Sequence, residues 1–398
     1  MSLLILTVGT GTAGLFSSVA EGLSTTIRLR QPRRFWLVPS SSEVSVKTAD
    51  LIREAVADLQ AFAPWSAAEN YRCIACPDDL LNCRQTLRDV IARAKRELQP
   101  EERLIVNATG GTKQMSVGAA LAAVEEEAGE LDFTVGQRVD GVVKTGTEVL
   151  ATFDIRQFLL ERVLREADRL VQSGAYHGAA QLLAPWRDRG NARQAWEVAQ
   201  CLHHWQRLDY ATALEISRGS RAPQLAASCE HLEMLAASSA LSVERLGDLL
   251  ANADEAARFG DLEDALARYY HAVEFAVRLR LVDRHRLPWP ATLADVRKLV
   301  PSWSRGEADG RDAFRPSFVE CLTLLKRRND EFVAEYWRSQ DLHLRLMLRH
   351  ETVAGHGTSQ VNGVTVSGVR ASLAELLPPY FPGLADYWTV AHRPKRVC

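Results

Sequence analysis

Hydrophobic and polar positions along the first ~155 residues alternate between short apolar runs and amphipathic stretches. Strand-like runs fall at Leu3–Val8, Arg34–Pro39, Tyr71–Ala75, Arg103–Asn107 and Leu131–Val135. Helical spacing occupies about 13–28, 43–62, 79–98 and 113–128 between them. This βαβ rhythm predicts a Rossmann-like α/β domain with an open, mostly parallel sheet. Gly141–Phe153 alternates apolar and polar residues around internal glycine, which predicts a closing hairpin.

From Ile155 onward the period changes. Arg156–Gly174, Tyr176–Arg187, Asn191–His204, Tyr210–Ser217 and Pro223–Ala237 carry helical spacing, punctuated by Gly174, Gly190 and Gly219. Leu241–Phe259, Leu262–Val282, Leu293–Leu299 and Pro316–Leu348 repeat apolar residues at i, i+3 and i+4, the mark of amphipathic helices. Val361, Val364 and Val366 alternate between the glycines of Gly357–Gly368, predicting a β-hairpin or flexible insertion before a helix over Val369–Leu377. The pattern divides the chain into an α/β domain over 1–155, an all-α linker region over 156–240 and a second α-helical domain over 241–398.

A chain of 398 residues accommodates two or three such domains. Its formal net charge is only −2, so no global basic field marks it as a nucleic-acid binder. Any such site must be a local patch or lie at a subunit interface. The N-terminal apolar run has no basic flank and enters glycines directly, so it reads as a buried strand and not as a signal peptide. No run approaches the ~18 apolar residues of a membrane-spanning helix, and a cytoplasmic protein without membrane association is expected. Cys73-Ile74-Ala75-Cys76, with Cys83 further on, resembles half a zinc site, but no second ligand pair follows at the required spacing. Reduced thiols and no metal are the expectation.

Two glycine-rich segments follow strand-like runs. Gly9-Thr10-Gly11-Thr12-Ala13-Gly14 fits G-x-G-x-x-G, yet the second strand ends in Ser40-Ser41-Ser42 where a dinucleotide site needs an acid for the ribose. A nucleotide-dependent Rossmann enzyme using NAD or SAM is therefore a minor alternative. Asn107-Ala108-Thr109-Gly110-Gly111-Thr112-Lys113 is the stronger anion-binding candidate. Its glycines permit close backbone approach and a helix N-terminus follows, while Thr109, Thr112 and Lys113 add hydroxyl and ammonium donors. The alternative is a tight strand-to-helix turn capped by threonine; G-x4-G-K-[ST] is not satisfied. The loops Thr10–Thr12, Pro39–Ser42 and Asn107–Lys113 all follow strands, at the edge where open α/β sheets bind ligands.

Near the other end, Arg349 and His356 stand seven residues apart in Arg349-His350-Glu351-Thr352-Val353-Ala354-Gly355-His356-Gly357. On an unbroken helix seven steps turn roughly 700°, placing both side chains on one face. An arginine can grip a scissile phosphate with its planar fork, and a histidine titrating near neutrality can move the proton.

The Leu-Thr-Val-Gly-Thr-Gly start and the Asn-Ala-Thr-Gly-Gly-Thr-Lys-Gln-Met loop resemble a CARF domain, the Rossmann-like sensor of CRISPR-associated proteins. Arg349-His350…His356-Gly357 resembles the Arg-x4–6-His motif of HEPN ribonucleases, and 251–274 resembles a helical segment of the CARF–HEPN family accompanying type III CRISPR systems. The chain departs from the family in having His350 directly after the motif arginine, where Asn is frequent, and Gly355 before His356. The resemblance implies a homodimer that cleaves single-stranded RNA without a metal or other required cofactor, leaving 2′,3′-cyclic phosphate and 5′-hydroxyl ends. His356 would be the general acid or base, Arg349 would stabilise the phosphoryl oxygens, and His350 would contact the phosphate or its neighbours. It further implies a cyclic tetra- or hexa-adenylate activator held by Thr10, Gly11, Thr12, Ser40, Ser41, Asn107, Thr109, Gly110, Gly111, Thr112 and Lys113, with slow ring-nuclease activity possible there. The alternative is a cyclic-nucleotide sensor whose HEPN domain is inactive or altered and serves as a binding module.

Overall fold

The computed structural model describes residues 1–10, 16–59, 66–139, 142–143, 146–304, 316–352, 356–389 and 393–397. The chain forms two compact units, Met1–Arg162 and Val163–Cys398.

In the first unit, β1 (Ser2–Val8), β2 (Arg34–Pro39), β3 (Arg103–Asn107) and β4 (Glu130–Val135) run parallel. The short strands β5 (Arg138–Val139) and β6 (Val142–Val143) pair with each other, and β7 (Val149–Asp154) runs antiparallel to β4. The sheet order is β2-β1-β3-β4-β7. Every residue of β1 is buried because helices cover both sheet faces. Leu4, Leu6 and Val8 pack with Ile27 and Ile52, whereas Leu3 and Ile5 meet Leu87, Ile91 and Met115 across the other face. The two-residue period of the strand separates these cores, and burial on both sides makes β1 read as a continuous apolar run.

The expected strand Tyr71–Ala75 is not one. It makes only isolated parallel bridges, Leu37↔Tyr71 and Ser40↔Ile74, along the outer edge of β2. Ile74 donates to the Pro39 carbonyl at 2.8 Å, but proline has no N–H with which to extend the ladder. The hairpin expected over Gly141–Phe153 likewise divides, its start forming β6 and its end becoming β7 of the main sheet.

The second unit is helical among its described residues, with two apolar cores. Helices Tyr176–Leu183, Asn191–Gln206, Tyr210–Gly219 and Pro223–Ala237 enclose Leu183, Val198, Leu202, Trp205, Leu225 and Leu235. The other core is organised by helix Leu262–Asp283, which packs Leu266, Tyr269, Tyr270, Val273 and Val277 among its neighbours. The long stretch Pro316–Leu348 is three helices, Phe318–Arg327, Glu331–Arg338 and Gln340–Met347. The first break comes at Asn329, with φ of 50°, and at Asp330, whose carboxylate caps the next helix by accepting from Phe332 N. The hairpin expected over Gly357–Gly368 is also corrected, because helix Gly363–Leu376 includes Val364 and Val366. Asn362 caps it by accepting from Thr365 N, and Val366, Val369, Leu373 and Leu376 form its buried seam. The valines stand three and then two residues apart, a spacing that does not keep the two-residue period of a strand.

The C-terminal segment enters this unit as a charged anchor. Arg393, 4% exposed, pairs with Asp248 at 3.0 Å and Glu255 at 2.7 Å. Asp248 also accepts from Trp205 Nε1 and the Tyr210 hydroxyl. The two carboxylates hold the guanidinium charged despite its burial. Removing one partner of such a cluster leaves uncompensated charge, so Arg393→Met should destabilise the helical unit by about 3–5 kcal/mol. The check is the urea midpoint of tryptophan fluorescence, compared with Lys395→Met as an exposed control.

Candidate active site and anion-binding loops

The Arg349–His356 segment does not continue a helix. Helix Gln340–Met347 gives way to a 3-10 turn over Leu348–Glu351, and Thr352 is extended. Residues 353–355, including Gly355, lie outside the described residues. The chain then doubles back: His356 N donates to the His350 carbonyl at 3.1 Å, Gly357 N to Thr352 O at 3.0 Å and Ser359 N to Glu351 O at 2.8 Å. A Cβ at Gly357 would collide with the Glu351 carbonyl, so glycine permits this closure. Thr352, 2% exposed, braces the turn by donating its hydroxyl to Arg349 O. The two ends of the motif are therefore joined by a closed loop and not by helical periodicity.

Arg349 is fixed from below. Its Cζ lies 3.8 Å from the centroid of the Tyr270 ring. Tyr270 is 6% exposed and meets Phe318 edge-on at 5.5 Å and His350 at 5.8 Å. Arg349 Nε is buried with no hydrogen-bond partner among the described residues, leaving a donor on an immobilised cation. His350 and His356 are exposed.

Sequence reasoning missed two neighbours, Tyr270 and His271, on helix Leu262–Asp283. Desolvation lowers the His271 pKa below the ordinary histidine value; Glu274 opposes this, while Arg278, Arg268 and Arg349 reinforce it. Three guanidinium groups thus act on one imidazole in a chain whose net charge is −2. The Tyr270-His271…Glu274 spacing was visible, but nothing in it distinguishes a helix interior from a site wall.

In the first unit, the glycines bring β-strand loops into backbone contact. A Cβ on Gly9 would collide with Gly111 N, and one on Gly110 with the Thr7 carbonyl. Gly111 has φ of +103° and is exposed, which only glycine adopts without strain. Asn107 is fully buried, its Oδ1 accepting from Thr109 N at 3.1 Å and its Nδ2 donating to Thr134 Oγ1 at 3.2 Å. Thr109 Oγ1 accepts from Thr134 N at 2.6 Å. The Thr112 hydroxyl caps helix Lys113–Glu125 through Met115 N and donates to Pro77 O. Ser40 is buried, its N–H held by Ser45 Oγ, and the Ser41 hydroxyl donates to Ala75 O. Asn107, Thr109, Thr112 and Ser40 therefore brace the loops internally, while Thr10, Ser41, Gly111 and Lys113 face solvent. Gly11 and Thr12 lie outside the described residues.

Fold and site together define a two-module architecture, a Rossmann-like α/β sheet followed by a helical unit with an Arg–His loop. Residues 239–378 match the family model described as the Csm6 HEPN domain. Among solved structures, the chain is similar to Enterococcus italicus Csm6 bound to cyclic hexa-2′-fluoro-hexa-dAMP. The identity is 14% and the TM-score 0.59, over 96% of this chain and 95% of that one. No curated protein sequence matches. The fold is that of a Rossmann-like α/β domain followed by a helical domain, as in that Csm6, and the region 239–378 is similar to a Csm6 HEPN domain. No described helix is long and apolar enough to cross a membrane.

The electrostatics of the Arg349 turn carry a direct test. Removing a nearby cation favours the imidazolium, so Arg349→Met should move the His271 pKa upward. Titration of the histidine Cε1 protons by NMR measures this; a downward shift contradicts the placement of Arg349.

Proposed function

We propose that the protein is a cyclic-oligoadenylate-activated endoribonuclease acting on single-stranded RNA in type III CRISPR antiviral defence. The observation that carries this reading is Arg349 stacked on Tyr270 at the root of the loop that ends at His356, within the region matching a HEPN domain. In this reading 1–155 senses the activator, 156–240 links, and 241–398 cuts.

The substrate 2′-oxygen attacks the adjacent phosphorus and the bond to the 5′-oxygen breaks. The products are a 2′,3′-cyclic phosphate and a 5′-hydroxyl end. His356 acts as general acid or base, and Arg349 donates to the phosphoryl oxygens as their charge grows. His350, beside the Tyr270 ring, supplies a further phosphate contact. The nucleophile belongs to the substrate and is already positioned, so the step requires no metal. Two copies related by a two-fold axis would bring two such turns together and double the local positive charge. A symmetric cyclic tetra- or hexa-adenylate suits the same axis. Its phosphates would meet Gly111, Lys113 and the Thr10–Thr12 loop, with Ser41 at the margin and the internally bonded Ser40, Asn107, Thr109, Gly110 and Thr112 holding the shape. Activation requires tighter ligand binding in the cutting arrangement than in the resting one.

His356→Ala should abolish cleavage of a fluorogenic single-stranded RNA in EDTA, with folding and activator binding unchanged. Arg349→Lys should also be strongly impaired, because an ammonium cannot reproduce the planar fork. Wild-type rates in His356→Ala, or loss of wild-type activity in EDTA, would defeat this reading.

Lys113→Ala should raise the activator concentration needed for half-maximal cutting about tenfold to hundredfold, the weight of one charge-assisted hydrogen bond. Most of the maximal rate should return at saturation. An unchanged dose–response with both cyclic tetra- and hexa-adenylate would place the anion site elsewhere.

A further inference from the structure

Along the outer edge of β2 lies a groove of about 580 Å³ unrelated to the strand-end loops. Trp36, Arg72, Cys73, Asp89, Arg93 and Arg96 contribute to its lining. The failure of Tyr71–Ala75 to join the sheet as a full strand leaves that edge irregular beside helix Leu80–Arg96.

The arginines of the groove mark it as a candidate binding site. The side chains of Arg72, Arg93 and Arg96 make no ion pair or hydrogen bond among the described residues. Several other arginines of this unit are paired: Arg30 with Asp132, Arg33 with Glu102, Arg84 with Glu125 and Arg103 with Glu130. Of the two acids in the lining, Glu69 is engaged by Arg34 at 2.8 Å, and Asp89 accepts from Gln85 at 3.0 Å. Trp36, 1% exposed, contributes an apolar wall to the groove.

We propose that this groove binds a diphosphate group, free or carried on a nucleoside. Three arginine forks match phosphate oxygens in charge and geometry, and the volume falls in the range that holds small-molecule ligands. The site is separate from the loops assigned to the activator and does not depend on that assignment.

The test uses the full chain with inorganic pyrophosphate and UDP as probes, read by titration calorimetry. Cys73 provides a local reporter because it lines the groove and is exposed, whereas the exposed Cys76 is not in the lining. Saturable binding is expected, with Arg72→Ala/Arg93→Ala lowering affinity roughly tenfold or more and Lys113→Ala having no effect. Ligand should slow alkylation of Cys73 severalfold, but not that of Cys76, by mass spectrometry. Pyrophosphate binding as tightly as UDP identifies the phosphates as the recognised group; tighter UDP binding adds the nucleoside. The proposal is overturned if neither probe saturates, if the double variant binds as wild type, or if Cys73 is unprotected. It is equally overturned if the double variant changes the sedimentation coefficient from dimer to monomer, since the groove would then be covered by a second copy. A urea midpoint unchanged in the double variant verifies its fold.

Discussion

A guanidinium resting on a buried tyrosine is the contact on which the Arg349 turn depends. Arg349 belongs to a single 3-10 turn, Leu348–Glu351, at the end of a helix. Tyr270 belongs to a helix buried on several sides, with Leu266, Tyr269, Val273 and Val277 in the same core. Stacking contributes about 0.5–2 kcal/mol in such settings. Its greater consequence is positional, because the turn inherits the order of the helix beneath it. Lysine would lose both the planar stack and the fork.

The loops at the other end of the chain solve the same problem with backbone. Gly9 and Gly110 let two β-strand connections touch where any side chain would intervene. Asn107 and Thr109 then tie the second connection to Thr134 on β4. Polar residues with the composition of a ligand pocket are in large part the internal scaffold of these loops. What they leave exposed is a glycine in a left-handed conformation and the first turn of a helix, both suited to anions.

Net charge conceals this arrangement. Most arginines of the α/β unit close ion pairs across helices and strands, so they contribute order and little field. Among the described residues, unpaired arginines remain along the β2 edge, and Arg349 rests on the Tyr270 ring. A count of −2 averages over these places.

Much of the architecture was legible in the sequence because two signals are local. The two-sided burial of β1 produces an uninterrupted apolar run, and the change of period near Ile155 marks the passage from sheet to helices. The Thr-Gly-Gly-Thr-Lys loop and the Arg–His pair were visible for the same reason, since each is a short string. Tertiary structure decided the rest. Whether Tyr71–Ala75 completes a strand depended on which residue of β2 faced it, and that residue was a proline. Valines at 364 and 366 became helical because Asn362 could cap and Val369, Leu373 and Leu376 continued their seam. The backbones of His350 and His356 meet through a loop closed by Gly357, and Arg349 stacks on Tyr270, nearly eighty positions away in sequence. Periodicity reports only neighbours along the chain; these outcomes rest on contacts between residues that only folding brings together.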